Sequence, residues 1–312
     1  MKISEAVNIF IENQYILGNT EKTIHHNKTH LYFFINWCKD IDITELTFET
    51  YKNYIVYLRN KKTKYNKSLA SRTVFTYAEI LKQFIHFCEE KNFIKESFYE
   101  QIKLPRYKKK VIRILNENEI KSILNYFDCN SFYGVRNNLI ISLMLDCGLR
   151  LSEVINLKFT DFEIERKLIL VNGKGQKQRY VPFSVATYNY FQQYLNFFEN
   201  KFIPTNNFFV DIVGFPITME AIQSFIRRMR KNLNINDLHP HLLRHTFATL
   251  YILNGGDPLN LQIILGHTTL TMTQHYVHLA TQMKIAEQMR YSPLSNISFV
   301  NTSSNLCSRI WR

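Results

Sequence analysis

Residues 239–251 read HPHLLRHTFATLY, and residues 265–278 read LGHTTLTMTQHYVH. In the first stretch His241 and Arg244 stand three apart, so a helix places both on one face. Arg244 is a permanent cation whose planar fork of donors suits two oxygens of one phosphate. In the second stretch His267 follows Gly266 just before an expected helix start, and Tyr276 supplies a hydroxyl. Working outward, GLRLSEVINL at 148–157 adds a second guanidinium, Arg150. VNGKGQKQRYVPF at 171–183 places Lys174 at a glycine-flanked hairpin tip, where a mobile lysine can donate a proton. The combination describes a cationic phosphate pocket with a nucleophile and proton shuttles.

Each of these residues alone says little. A lone arginine on a helix is usually a solvated charge, and tyrosine occurs 18 times in this chain, so most must pack or face solvent. His241 and His245 also stand four apart, as zinc ligands on a helix can. The residues between them are Leu-Leu-Arg, with no glutamate, and the arginine disfavours a bound cation. No metal and no other cofactor is therefore expected.

Composition narrows the class. A chain of 312 residues is long enough for two domains, and a hydrophobic fraction of 46% is ordinary for a globular protein. The formal charge of +13 makes nucleic acid the first partner to consider. The excess is uneven: residues 1–105 hold 15 Lys/Arg against 12 Asp/Glu, and the remainder 24 against 14. The five cysteines, at 38, 88, 129, 147 and 307, include no CxxC pair and suggest reduced thiols, with Cys38 and Cys88 in the core. No apolar run approaches the roughly 20 residues that span a bilayer, and the first residues lack a signal-peptide pattern. A cytoplasmic protein without a membrane partner is expected.

Helical periodicity runs through 3–17, 20–39, 47–60 and 69–91, with Thr20 and Ser68 as N-caps. Pro105 ends that region, and Arg106, Lys108, Lys109, Lys110 and Arg113 form a basic run suited to a phosphate backbone. Helices are expected again at 116–128 and 135–147, extended segments at 167–171 and 177–183, and helices at 186–200, 218–232, 241–254, 258–265 and 270–290. The fold class is mainly α with a small antiparallel β-sheet. The expected organisation is a helical domain over 1–103, a linker over 104–113, a mixed, mostly helical domain over 114–290 and a tail over 291–312.

The motifs LLRHTFAT, GKGxKxRxVP and LGHTT followed by Tyr276 closely resemble the conserved boxes of the tyrosine recombinases, or phage integrase family. The resemblance covers roughly residues 3–290 and includes a helical, SAM-like core-binding domain ahead of the catalytic domain. It implies a site-specific recombinase that cleaves and rejoins DNA through a 3′-phosphotyrosine, without metal or ATP. By position, it implies Arg150, Lys174, His241, Arg244, His267 and Tyr276 as catalytic residues, with Tyr276 the nucleophile and Glu153 supporting Arg150. Lys174 would protonate the leaving 5′ oxygen, and His241 is a reasonable acceptor for the Tyr276 proton. Lys177 and Arg179 join the linker cations as DNA contacts. His275 and His278 match no catalytic position. The implied partners are double-stranded DNA and three further copies of the chain, a homotetramer on two paired sites. An apolar pattern through Val277, Leu279, Ile285 and Met289 is consistent with packing on a neighbouring subunit, or within one chain. A type IB topoisomerase-like enzyme and a catalytically inactive DNA-binding protein remain as alternatives.

Overall fold

The computed structural model describes residues 1–63, 65–108, 113–173, 177–198 and 205–287, with side chains described as far as 284. The chain divides into two compact units, Met1–Lys110 and Val111–Arg312.

The first unit contains α1 (Ile3–Ile16), α2 (Glu21–Cys38), α3 (Phe48–Asn60) and α4 (Ser71–Glu90). Thr20 caps α2, its hydroxyl accepting the Thr23 N–H. Ser68 does not cap α4. There the chain is still extended, bridging Lys62, and the Ser68 hydroxyl accepts from Lys62 Nζ at 3.1 Å. The helix starts after Ala70, two residues later than the periodicity and Ser68 as N-cap lead one to expect. Aromatic residues build the core, with Phe34 edge-on to Tyr54 at 4.8 Å and Phe10 edge-on to Phe84 at 5.7 Å. Cys88 lies fully inside, and burial pushes its thiol up to about 12, so it stays an unreactive packing residue.

The second unit is built around α6 (Phe132–Asp146), whose residues from Gly134 to Met144 are all buried. A helix buried all round has no solvent stripe and serves as the central post of its domain. Around it stand α5 (Glu117–Leu124), α7 (Leu151–Ile155), α8 (Val185–Asn196), α9 (Met219–Asn232), α10 (Pro240–Leu253), α11 (Pro258–Leu265) and α12 (Leu270–Glu287). The sheet is antiparallel in the order β1 (Phe162–Glu163), β2 (Leu168–Asn172), β3 (Gln178–Pro182). Its β2–β3 register runs from Leu168 opposite Pro182 to Asn172 opposite Gln178, with Ile169, Val171 and Val181 turned into the core. The short α7 and β1 are too brief for periodicity to reveal. Among the described residues no helix is long and apolar enough to cross a membrane.

Gly148, between α6 and α7, has φ +63°, and a Cβ there would stand 2.4 Å from the Phe247 ring. Gly148→Ala is therefore expected to cost at least about 1–2 kcal/mol from left-handed backbone alone, with the Phe247 clash added. Thermal unfolding of Gly148→Ala, Phe247→Leu and the double variant checks this. The double variant should be more stable than the two single losses predict together.

Candidate active site

The site begins at a helix start. Arg150 is the N-cap of α7 in extended conformation, and its backbone N–H donates to Glu153 Oε2 at 2.8 Å. The same carboxylate accepts from Arg150 Nη1 at 2.8 Å. Arg179, on β3, donates through Nη1 and Nη2 to the two Glu153 oxygens at 3.0 and 2.9 Å. The third guanidinium, Arg244 on α10, comes within 3.9 Å of Glu153 Oε2. Glu153 is 5% exposed at its side chain. Burial pushes its carboxyl up, but the Arg179 hydrogen bonds, the charges of Arg179 and Arg150 and the Arg150 N–H outweigh it, so the group ends below its ordinary value.

Arg244 is tied on both sides of the site. Its Nη1 donates to the Gly148 carbonyl at 2.5 Å and its Nη2 to the Leu265 carbonyl at 2.7 Å. Burial first, then the nearby Arg150 charge, lower it to about 10, and it remains a cation at neutral pH. Arg150 differs in being 30% exposed at its side chain, which leaves it open to an incoming anion.

The turn after α11 carries the next group. Gly266 closes the helix with φ +61°, and the His267 N–H returns to the Gln262 carbonyl at 3.1 Å. His267 Nδ1 meets Thr273 Oγ1 at 2.9 Å, and Nε2 lies 3.3 Å from Arg244 Nη2. Since an arginine only donates, Nε2 accepts there and Nδ1 carries the hydrogen toward Thr273. Burial first, then Arg244, Arg150 and Arg179, push His267 down to about 4, so it is neutral at pH 7.

Tyr276, on α12, is 5% exposed, and its ring stacks on His267 with centroids 6.1 Å apart. Its hydroxyl is 2.8 Å from His245 Nδ1. Burial raises the phenol above its usual value, while Arg244 and Arg150 pull against that rise. Burial is the larger effect. A cavity of about 300 Å³ opens beside this pair, lined in part by His245, His267, His275 and Tyr276.

The structure thus brings Arg150, Glu153, Arg244, His267 and Tyr276 together. His241 lies one turn before His245, exposed at the surface, with ring centroids 6.3 Å apart. Partial burial, then His239, Arg244 and Arg150, lower it. Lys174, Lys109 and Lys110 fall outside the described residues, as do the tail over 291–312, Met289 and the Ile285 side chain. Arg106, Lys108 and Lys177 are exposed. Arg113 pairs with Glu119 and approaches Asp237.

Arg179 departs from its expected role as a DNA contact. Its side chain is 8% exposed, paired with Glu153, and its Nε donates to the Ile264 carbonyl at 2.6 Å. With every side of its guanidinium engaged inside the protein, it is a brace for the site. His245 was read from sequence only as a rejected zinc ligand; its contact with Tyr276 lies in a helix-to-helix juxtaposition that no spacing shows.

Comparison with known proteins agrees along almost the whole chain. The Phage integrase family model matches residues 113–283, and the Phage integrase SAM-like domain model matches residues 4–111. Tyrosine recombinase XerC of Bacillus pumilus is 31% identical over 251 residues, 78% of this chain and 81% of that protein. Tyrosine recombinase XerC of Lactobacillus delbrueckii subsp. bulgaricus is 32% identical over 232 residues, 73% of this chain and 79% of its own length. Among solved structures, the Tn1549 transposon integrase in complex with circular intermediate DNA shares the fold, with a TM-score of 0.70, 19% identity and coverage of 91% of this chain and 99% of that one.

The Glu153 cluster makes a prediction about acid. A carboxyl whose folded value is lowered contributes stability above its unfolded value, near about 4.3, and loses that contribution as pH falls through the folded value. Glu153→Gln should therefore be less stable than wild type at pH 7. Its stability should also fall less on acidification from about pH 5 to pH 3. Denaturant unfolding at a series of pH values reads both effects.

Proposed function

We propose that this chain, which belongs to the phage integrase family and is a site-specific tyrosine recombinase of Xer-like type, cleaves DNA by attack of the Tyr276 hydroxyl on a backbone phosphate. The observation that carries the assignment of residues is the convergence of Arg150 and Arg244 on one buried carboxylate, Glu153, beside the turn that sets His267 against the Tyr276 ring.

The scissile phosphodiester enters at the open side of Arg150. Attack by the phenol oxygen builds negative charge on a pentavalent phosphorus. Arg150 and Arg244 stabilise that charge, each already aimed by Glu153 or by backbone carbonyls, so little reorganisation is needed at the moment of reaction. His267 accepts from Arg244 Nη2 through Nε2 and holds that guanidinium in position. The 5′ oxygen leaves and takes a proton from Lys174, the hairpin lysine. The products are a 3′-phosphotyrosine and a free 5′-hydroxyl. The phosphodiester energy is kept in the tyrosyl bond, so a 5′-hydroxyl from another duplex can religate without ATP.

Double-stranded DNA is the substrate, and recombination requires four strands to be cut in two duplexes. One tyrosine per chain then implies four copies on two paired sites. The exposed Arg106, Lys108 and Lys177 hold the backbone, with affinity falling steeply as salt rises. Neither a relaxing enzyme nor an inactive binding protein is favoured, since the relatives described above are recombinases.

Tyr276→Phe is expected to bind its DNA site like wild type and to form no covalent adduct on a nicked substrate that traps cleavage. Arg150→Ala should keep the adduct and slow its formation on the order of 10²–10³-fold, as loss of one donor to developing charge does. Because the positive charge is supplied by guanidinium groups, cleavage should proceed at an unchanged rate in EDTA, followed in the same gel assay.

A further inference from the structure

We propose that His245 is the group that takes the proton from Tyr276 during cleavage, and that His241 does not contact the nucleophile. This rests on the reading of Tyr276 as nucleophile.

α10 and α12 cross so that His245 Nδ1 stands 2.8 Å from Tyr276 Oη, a hydrogen-bond distance for which no substrate is needed. The Tyr276 residue is 5% exposed, so the surrounding protein restricts water as an alternative acceptor. His241, one turn earlier on α10, faces solvent, and its ring centroid is 6.3 Å from that of His245. His267 stacks face to face on the Tyr276 ring, and its two nitrogens are engaged by Thr273 and Arg244. Of the imidazoles of His241, His245 and His267, that of His245 is the one that meets the hydroxyl itself.

The chemistry fits a neutral ring. With its hydrogen on Nε2, His245 has a lone pair on Nδ1 that accepts the Tyr276 O–H. The groups that face or flank it are His239, His241 and Arg244 on its own helix, Tyr276 on α12, and His267 and His275 around the shared cavity. Burial first, then His241, His239 and Arg244, push the ring down to about 4, so the accepting form is the resident one at pH 7. A ring held that low is a weak base in the DNA-free protein. A phosphodiester anion beside Arg150 and Arg244 offsets the positive field acting on His245 and strengthens it as a base once the substrate is bound.

The step balances as follows. A lone pair on Oη forms the bond to phosphorus, and the O–H bond breaks with its pair remaining on oxygen. The proton passes to Nδ1, giving imidazolium. The bond from phosphorus to O5′ breaks with its pair on O5′, which takes up a proton from Lys174, the donor proposed above. In religation the incoming 5′-hydroxyl gives its proton to the now neutral Lys174, and His245 returns its proton to Oη.

The test is single-turnover cleavage by the full chain on a nicked duplex that traps the adduct, with His245→Ala and His245→Asn. Both variants should bind the duplex as wild type does and lose on the order of 10²–10⁴ in cleavage rate. Their residual rate should rise with pH as hydroxide replaces the base, and added imidazole should partly restore His245→Ala. His245→Asn can still hydrogen-bond the hydroxyl but cannot carry a proton, so it separates a base from a structural prop and also decides the matter if the alanine variant fails to fold. Cleavage by His245→Asn within about threefold of wild type, with the wild-type pH profile, overturns the proposal. So does a loss of DNA binding that accounts for the whole loss of cleavage. If wild type itself forms no adduct through Tyr276, the nucleophile assignment fails first, and this role fails with it.

Discussion

One buried carboxylate organises the second unit's chemistry. Glu153 receives Arg150 and Arg179 directly and has Arg244 within 3.9 Å. A single negative charge is thereby set against three cations, which repel one another and stay only because each is also anchored to backbone or carboxylate. The surplus is positive, and it is concentrated where Arg150 opens toward solvent. A phosphate entering there completes the charge balance that the protein leaves incomplete. Without Glu153 the three guanidinium groups would lose the one negative charge among them, and Arg150 its side-chain partner on that carboxylate, although the carboxylate need not touch a substrate.

The same positive field explains the histidines. His267 and His245 are both pushed to about 4, by burial first and by neighbouring charge second. They are therefore neutral at pH 7, and a neutral imidazole accepts and donates through different nitrogens. His267 uses this to link Arg244 with Thr273, and His245 uses it to meet Tyr276. Tyr276 itself is buried enough that its phenol is raised, so the proton stays on oxygen in the DNA-free protein. The side chains to which we assign the roles of nucleophile, acceptor and charge stabiliser are thus held close together in the DNA-free protein.

Much of this was legible in the sequence, for identifiable reasons. Arg150 and Glu153 stand three apart at a helix start, and His241 and Arg244 three apart within a helix, spacings fixed by local geometry. Resemblance added His267 and Tyr276, which are remote from the arginines along the chain. The failures lie where tertiary contact decides. Arg179 is a charged residue on a strand, and nothing local says that it turns inward to Glu153. His245 contacts Tyr276 across 31 positions of sequence, and its spacing from His241 raised only a zinc pair that the intervening Leu-Leu-Arg argued against. Ser68 has the chemistry of a cap, but the bridge to Lys62 keeps it out of α4. The sharp backbone at Gly148 became intelligible only with the Phe247 ring packed against it.

The central claim is that Tyr276 carries the DNA covalently during strand exchange. The most direct measurement is mass spectrometry of peptides from the trapped protein–DNA adduct after nuclease digestion. A phosphonucleotide remnant on the peptide containing Tyr276, with fragment ions placing it on that residue, is the predicted result. A remnant on any other side chain, or strand exchange without any covalent adduct, would contradict the account.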